Sequence, residues 1–120
     1  MKTKEELEGR SKNRKRLLLA AQRMTQLLGE LRQLKQQLRS VKRASYQRGA
    51  FRQVEYVEMQ IRQLQQHLIV LQTELMSWLK QAPQPWLHPA ALVRRIRATI
   101  ADAEQSLILI KLNAGSVLFL

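Results

Sequence analysis

Apolar residues recur along this chain at alternating steps of three and four residues, in three separate stretches. Such a repeat, with a period of about 3.5 residues, is typical of coiled-coil-like helices that pack through one stripe. We call each stripe a seam. The seam positions are Leu17, Ala20, Met24, Leu27, Leu31, Leu34, Leu38 and Val41; then Val54, Val57, Ile61, Leu64, Leu68, Leu71, Leu75 and Trp78; then Val93, Ile96, Ile100, Ala103, Leu107 and Ile110. The pattern predicts three long helices.

The first two seams are out of phase with each other. Val54 follows Val41 by 13 residues, one short of two heptads, and Gly49 lies between them. A turn near residues 45–49 would explain the shift and would produce a helical hairpin. The alternative is one continuous helix with a local skip, which would need a partner chain along its length.

The second and third seams are separated by a proline-rich segment. Pro83, Pro85 and Pro89 cannot lie inside a helix, because proline lacks the backbone N–H and clashes with the preceding turn. Helix two is therefore predicted to end near Lys80, and Pro89 suits the first position of helix three.

The predicted fold is all-α: an antiparallel three-helix bundle in which a third helix follows a long hairpin after a Pro-rich turn. Leu, Gln, Arg, Ala and Lys dominate the composition, and all five are good helix formers. We expect a short N-terminal helix that ends at Gly9 and a cap for helix three at 113–115. The predicted single domain, 1–120, divides into a basic, partly flexible segment 1–16, helix one 17–44, helix two 50–81, the turn 82–89, helix three 90–113 and an apolar tail 114–120.

The formal net charge of +12 is concentrated in the first half of the chain. Residues 1–52 hold 15 Lys and Arg against four Glu, which is +11, and residues 53–120 hold six against five acids, which is +1. Self-repulsion of this size disfavours a compact fold unless an anionic partner relieves it. The cations of the second half are expected to contribute little to binding such a partner.

Most basic residues of helix one flank its seam and can form one exposed stripe that neutralises phosphates. A merely solvated helix face would normally carry interspersed Glu, yet Glu30 is the only acid between Glu8 and Glu55. Tyr46, Phe51 and Tyr56 lie within or beside the basic turn. Tyr46 and Phe51 are candidates for stacking on bases, and the alternative is that Phe51 and Tyr56 cover the end of the bundle. The candidate nucleic-acid-binding residues are Arg14, Lys15, Arg16, Arg23, Arg32, Lys35, Arg39, Lys42, Arg43, Arg48 and Arg52.

Further apolar residues lie outside the seams and exceed what one bundle needs to bury. They predict association with another copy of the chain or with a protein partner. The candidate assembly residues are Leu18, Leu19, Ile69, Val70, Ile108, Leu109, Leu112 and Phe119.

The sequence carries no pattern typical of a catalytic or metal site. There is no Cys, and neither His67 nor His88 has a carboxylate at metal-ligand spacing. Gly-rich phosphate loops and nucleophile motifs are also missing. We therefore expect no catalysis, cofactor, metal or small-molecule substrate. No signal-peptide-like run and no stretch near the roughly 18–20 apolar residues of a membrane span are found, which favours the cytoplasm.

These features favour a non-catalytic, nucleic-acid-binding subunit of a larger nucleoprotein assembly, which contacts phosphates non-specifically through helix one and the following turn. DNA and RNA, single- or double-stranded, all fit a surface of this kind. The alternative is a scaffold or chaperone-like adaptor whose basic helix face binds an acidic protein.

Overall fold

The computed structural model describes residues 4–47, 49–80 and 89–118, all of them within three helices and the turn between the first two. Helix α1 spans Lys4–Gln47, α2 spans Phe51–Lys80 and α3 spans Pro89–Leu118. Each helix packs against the other two, which confirms the predicted all-α three-helix bundle. Side chains are described for residues 14–44, 46–47, 49–80 and 91–118.

The three seams form the core, because burying one apolar stripe per helix removes the most hydrocarbon surface from water. All predicted seam residues are buried except two. Val41, the last residue of the first seam, and Trp78, the last residue of the second seam, are half-buried. α1 and α3 run parallel and α2 runs antiparallel to both. The result is a slender bundle of 69 × 20 × 17 Å.

At the end of α2, the residue that enters the core lies one position after the predicted seam residue. Leu79, only 9% exposed, enters the core instead of Trp78, which packs against its edge. A straight α-helix drifts about 20° per heptad relative to a strict 3.5-residue repeat. After three heptads from Val54, this drift favours the next residue along the chain.

The predicted start of helix one at residue 17 is also wrong, since α1 begins at Lys4 and continues through Gly9. A glycine inside a helix costs only about 1 kcal/mol. Lys, Arg, Glu and Leu around it are good helix formers, and extending an existing helix is much easier than nucleating one. At its other end α1 continues three residues beyond 44, to Gln47.

The predicted end of helix three at Asn113 is wrong for a different reason. Ala114 and Val117, 0% and 2% exposed, continue the seam after Ile110, so the helix runs to Leu118. Most of the predicted apolar tail therefore belongs to the fold. At the other end, α3 begins at Pro89, one residue before the predicted 90. Helix α2 spans Phe51–Lys80, where residues 50–81 were predicted. The segment 81–88 and residues 119–120 lie outside the described residues.

The hairpin between α1 and α2 is confirmed, and the single continuous helix is excluded. Gly49 has φ of +82°, in the left-handed region where a Cβ is costly. Its N–H donates to the carbonyl of Tyr46 at 3.1 Å, and the N–H of Val54 donates to Ala50 at 3.1 Å. Gly49 thus lies in the turn after α1, and the carbonyl of Ala50 accepts a hydrogen bond from the first turn of α2.

Candidate nucleic-acid interface

The candidate cations are mostly exposed, as phosphate contacts require. Eight of the predicted residues have exposed side chains: Arg14, Lys15, Arg16, Arg32, Lys35, Arg39, Arg43 and Arg52. Arg23 and Lys42 are half-buried, and Arg48 lies outside the described residues.

Arg23 and Lys42 differ from the others because each is bound to an acid on another helix. Arg23 Nε donates to Glu104 Oε1 at 2.8 Å, and Lys42 Nζ lies 3.0 Å from Glu58 Oε1. Ion pairs that remain accessible to water contribute little to stability. Their main consequence is that these two cations are already partly neutralised.

Lys42 is part of a small cluster at the hairpin end. Its hydrogen bond to Glu58 raises the pKa of Lys42 above its ordinary value, with a smaller contribution from Tyr46. The ammonium lies 5.6 Å from the centre of the Tyr46 ring, within the range of a cation–π contact. Tyr46 in turn packs edge-to-face on Phe51, with ring centres 4.9 Å apart. The two predicted stacking residues therefore pack on each other at the end of the bundle, and base stacking remains a prediction.

Four exposed cations of α1 follow one another at steps of three, four and four residues, which places them on one side of the helix. We call Arg32, Lys35, Arg39 and Arg43 the α1 stripe. Its side of α1 is the one beside α2, since Lys35 shares a groove of about 240 Å³ with Glu58 and Arg62.

Arg62 is a basic residue that sequence analysis missed because it lies in the nearly neutral half of the chain. A usable signal was present, however. Arg62 directly follows the seam residue Ile61, just as Arg32 and Arg39 directly follow Leu31 and Leu38. The same heptad position on two adjacent antiparallel helices brings these side chains to one face of the bundle.

The acids of the described residues leave the α1 stripe without an ion-pair partner. Side chains are described for Glu30, Glu55, Glu58, Glu74, Asp102 and Glu104. Glu30 pairs with Lys111 at 3.4 Å and Glu74 with Arg95 at 3.6 Å, in addition to the pairs of Glu58 and Glu104. Of these six acids, only Glu55 and Asp102 form none of these ion pairs.

A second basic groove lies between α1 and α3. It has a volume of about 320 Å³, and its charged lining consists of Arg16, Arg23, Arg97 and Glu104. Arg97 was expected to contribute little because it lies in the second half of the chain. The parallel packing of α3 on α1 nevertheless brings it beside the basic residues of α1.

The candidate assembly residues are exposed, but they are distributed over three helices. Leu109 and Leu112 on α3 are 59% and 67% exposed, and the other candidates with described side chains are exposed as well. Phe119 lies outside the described residues. The structure adds further exposed apolar side chains, namely Phe51, Tyr56, Met59 and Met76.

Metal-ligating side chains do not gather within the described part of the chain, where no three His or acidic residues form a cluster. His67 lines a groove between α2 and α3 with Ser106 and Leu109, and His88 lies outside the described residues. Among the described helices, none is long and apolar enough to cross a membrane.

Comparison of the chain with family models, curated proteins and solved structures finds no match. Its function must therefore be inferred from its own surface.

Proposed function

We propose that the protein is a non-catalytic nucleic-acid-binding subunit that contacts the phosphate backbone through α1 and the following turn. The observation that carries this proposal is the α1 stripe, four exposed cations on one helix face that form no ion pair with the described acids. Arg62 extends the same face on α2. Neutralising phosphates there releases condensed counterions, which is a large source of non-specific affinity.

Phosphate contacts position a protein on nucleic acid without specifying sequence. The stripe offers long, flexible cations along a convex helix side, and Tyr46 and Phe51 pack on each other beside it. The arrangement supports binding that depends on charge and is tolerant of sequence.

The test is a titration of fluorescent DNA and RNA oligonucleotides, single- and double-stranded, over a series of salt concentrations. Affinity should fall by about 0.9 log units per log unit of salt for each duplex phosphate contacted, and by about 0.7 for single strands. Changing Arg32, Lys35 and Arg39 together to Gln should flatten this slope for all sequences alike. Helix content should persist, since Gln is a good helix former and the three positions are exposed.

A matched control changes Lys80, Arg95 and Lys111 to Gln, which removes the same charge from exposed positions of α2 and α3. It should retain most of the wild-type slope. Absence of salt-sensitive binding by the wild type to every oligonucleotide would rule out the proposal.

The second candidate function is an adaptor whose basic face binds an acidic protein. The exposed apolar residues of all three helices favour it, since such residues are common where proteins associate. Binding of poly-glutamate, with no binding of oligonucleotides of equal charge, would support the adaptor. In either case the proposal includes self-association or a protein partner and a cytoplasmic location.

A further inference from the structure

Facing charges along the parallel helices α1 and α3 follow a regular register. Arg23 bonds to Glu104 and Glu30 is bonded by Lys111, and in both pairs the two residues are 81 positions apart. The pairs are seven residues apart on each helix, as expected for parallel helices with heptad seams. One heptad earlier, the same register matches Arg16 with Arg97, which are also 81 positions apart.

The Arg16–Arg97 position breaks the pattern of opposite charges. Both side chains are exposed and line the groove between α1 and α3. Like charges at facing positions repel each other. The acid in this groove, Glu104, is already bound by Arg23 at 2.8 Å. The charged lining, which consists of three arginines and Glu104, therefore has a net charge of +2.

Two guanidinium groups that face the same groove are suited to a phosphate. Each offers a planar fork of N–H donors that matches the geometry of phosphate oxygens. A phosphate between them would replace the repulsion with two attractive interactions. Glu104 and Gln26 also hold the third guanidinium, of Arg23, by hydrogen bonds of 2.8 and 3.3 Å, so that its charge stays beside the groove.

We propose that Arg16 and Arg97 together bind one phosphate group in the groove between α1 and α3. Its identity as a backbone phosphate of nucleic acid rests on the proposed function. The site adds α3 to a binding surface that the charge distribution along the sequence assigned to α1 and the following turn. It is also separate from the α1 stripe, which lies on the side of α1 beside α2.

The site is tested first with inorganic phosphate, by thermal unfolding at low salt and against chloride at equal ionic strength. Phosphate should raise the melting temperature of the wild type more than chloride does, because a ligand of the folded state stabilises it. Arg97→Gln should lose that excess. Arg97→Glu should also lose the additional stabilisation by phosphate. In the absence of phosphate this variant should melt at a higher temperature than the wild type, because a carboxylate then faces Arg16.

Lys80→Glu is the control, because it makes the same charge change at an exposed position of α2 outside this groove. It should keep the phosphate response, and its gain in melting temperature should be smaller than that of Arg97→Glu. A phosphate response in Arg97→Gln equal to that of the wild type would overturn the site.

The oligonucleotide titration then decides whether nucleic acid uses the site. Arg97→Gln should reduce the salt slope by about 0.7–0.9, the value of one phosphate contact, whereas Arg95→Gln on the α2 side of α3 should not. One outcome is that the wild type binds oligonucleotides with a strong salt dependence that Arg97→Gln leaves unchanged. That result overturns the assignment of the site to a backbone phosphate and leaves the proposed function intact. An Arg97-dependent phosphate response without any oligonucleotide binding overturns the proposed function and leaves a small-oxyanion site.

Discussion

Gly49 shows how one residue decides the path of the chain. Its φ of +82° is accessible to glycine at little cost, and it lets α1 end and α2 turn back within three residues. Gly29 differs because it lies inside α1, in an ordinary helical conformation. A Cβ added at either glycine would meet no atom within 4 Å, so the two positions differ in backbone conformation and not in available space.

Substituting these two glycines should therefore have opposite effects. Gly49→Ala should destabilise the protein by about 1–2 kcal/mol, the cost of the left-handed conformation for a residue with a Cβ. Gly29→Ala should stabilise it by up to about 1 kcal/mol through helix propensity. Chemical denaturation of both variants measures the difference, and destabilisation by Gly29→Ala would contradict the continuous α1.

The cations of α1 also differ at the scale of single residues. Arg23 and Lys42 bind acids of other helices, and Arg32 and Arg39 do not. All four looked alike in the sequence as basic positions flanking a seam. Their different roles come from what the neighbouring helix places opposite each of them.

Helix α3 illustrates how an element is defined by its buried side. Asn113 and Gly115 suggest a cap, since both residue types are common at helix ends. Ala114 and Val117 nevertheless extend the core by another two turns beyond Ile110. Tertiary packing therefore outweighs the local preference for a helix end.

A pair of Asp substitutions tests this end of α3. Val117→Asp should destabilise the fold by more than about 3 kcal/mol, because it buries a charge without a partner. Ser116→Asp introduces the same charge at an exposed neighbouring position and should change stability by no more than about 1 kcal/mol. Thermal unfolding of the two variants gives the comparison. Equal, small effects would show that residues 114–118 form a tail outside the core, as the sequence suggested.

For the whole molecule, the arrangement of exposed apolar residues bears on assembly. The seams supply most of the core, and many of the large apolar residues outside them are exposed on all three helices. The bundle is 69 Å long but only 20 Å and 17 Å across, and a slender shape exposes much surface for its size.

We expect the protein to form a dimer or larger assembly at tens of micromolar, roughly where modest interfaces become populated. Changing Ile108, Leu109 and Leu112 to Gln should shift it toward monomer while its helix content persists, because all three are exposed outside the core of the bundle. Tyr56 and Met59, changed to Gln, serve as a control at exposed apolar positions outside the predicted interface. Light scattering distinguishes these outcomes, and a monomeric wild type at that concentration would count against assembly.

Much of the fold was determined by local sequence pattern. The steps of three and four between apolar residues predicted the core almost completely, because helix geometry directly converts spacing into a buried side. Gly49 and the phase shift between Val41 and Val54 located the hairpin for a similar reason, since both are properties of a short segment.

The helix ends and the pairing of charges were decided only by the tertiary structure. Helix ends depend on whether a neighbouring helix still offers apolar surface, as it does for Val117. Ion pairs depend on the register between helices, and the residues of the pair Arg23–Glu104 are 81 positions apart in the chain. Charge counted along the sequence therefore assigned Arg97 to a nearly neutral half, whereas packing brought it beside Arg16. Electrostatic interactions depend on distance in space, which the order of residues does not by itself contain.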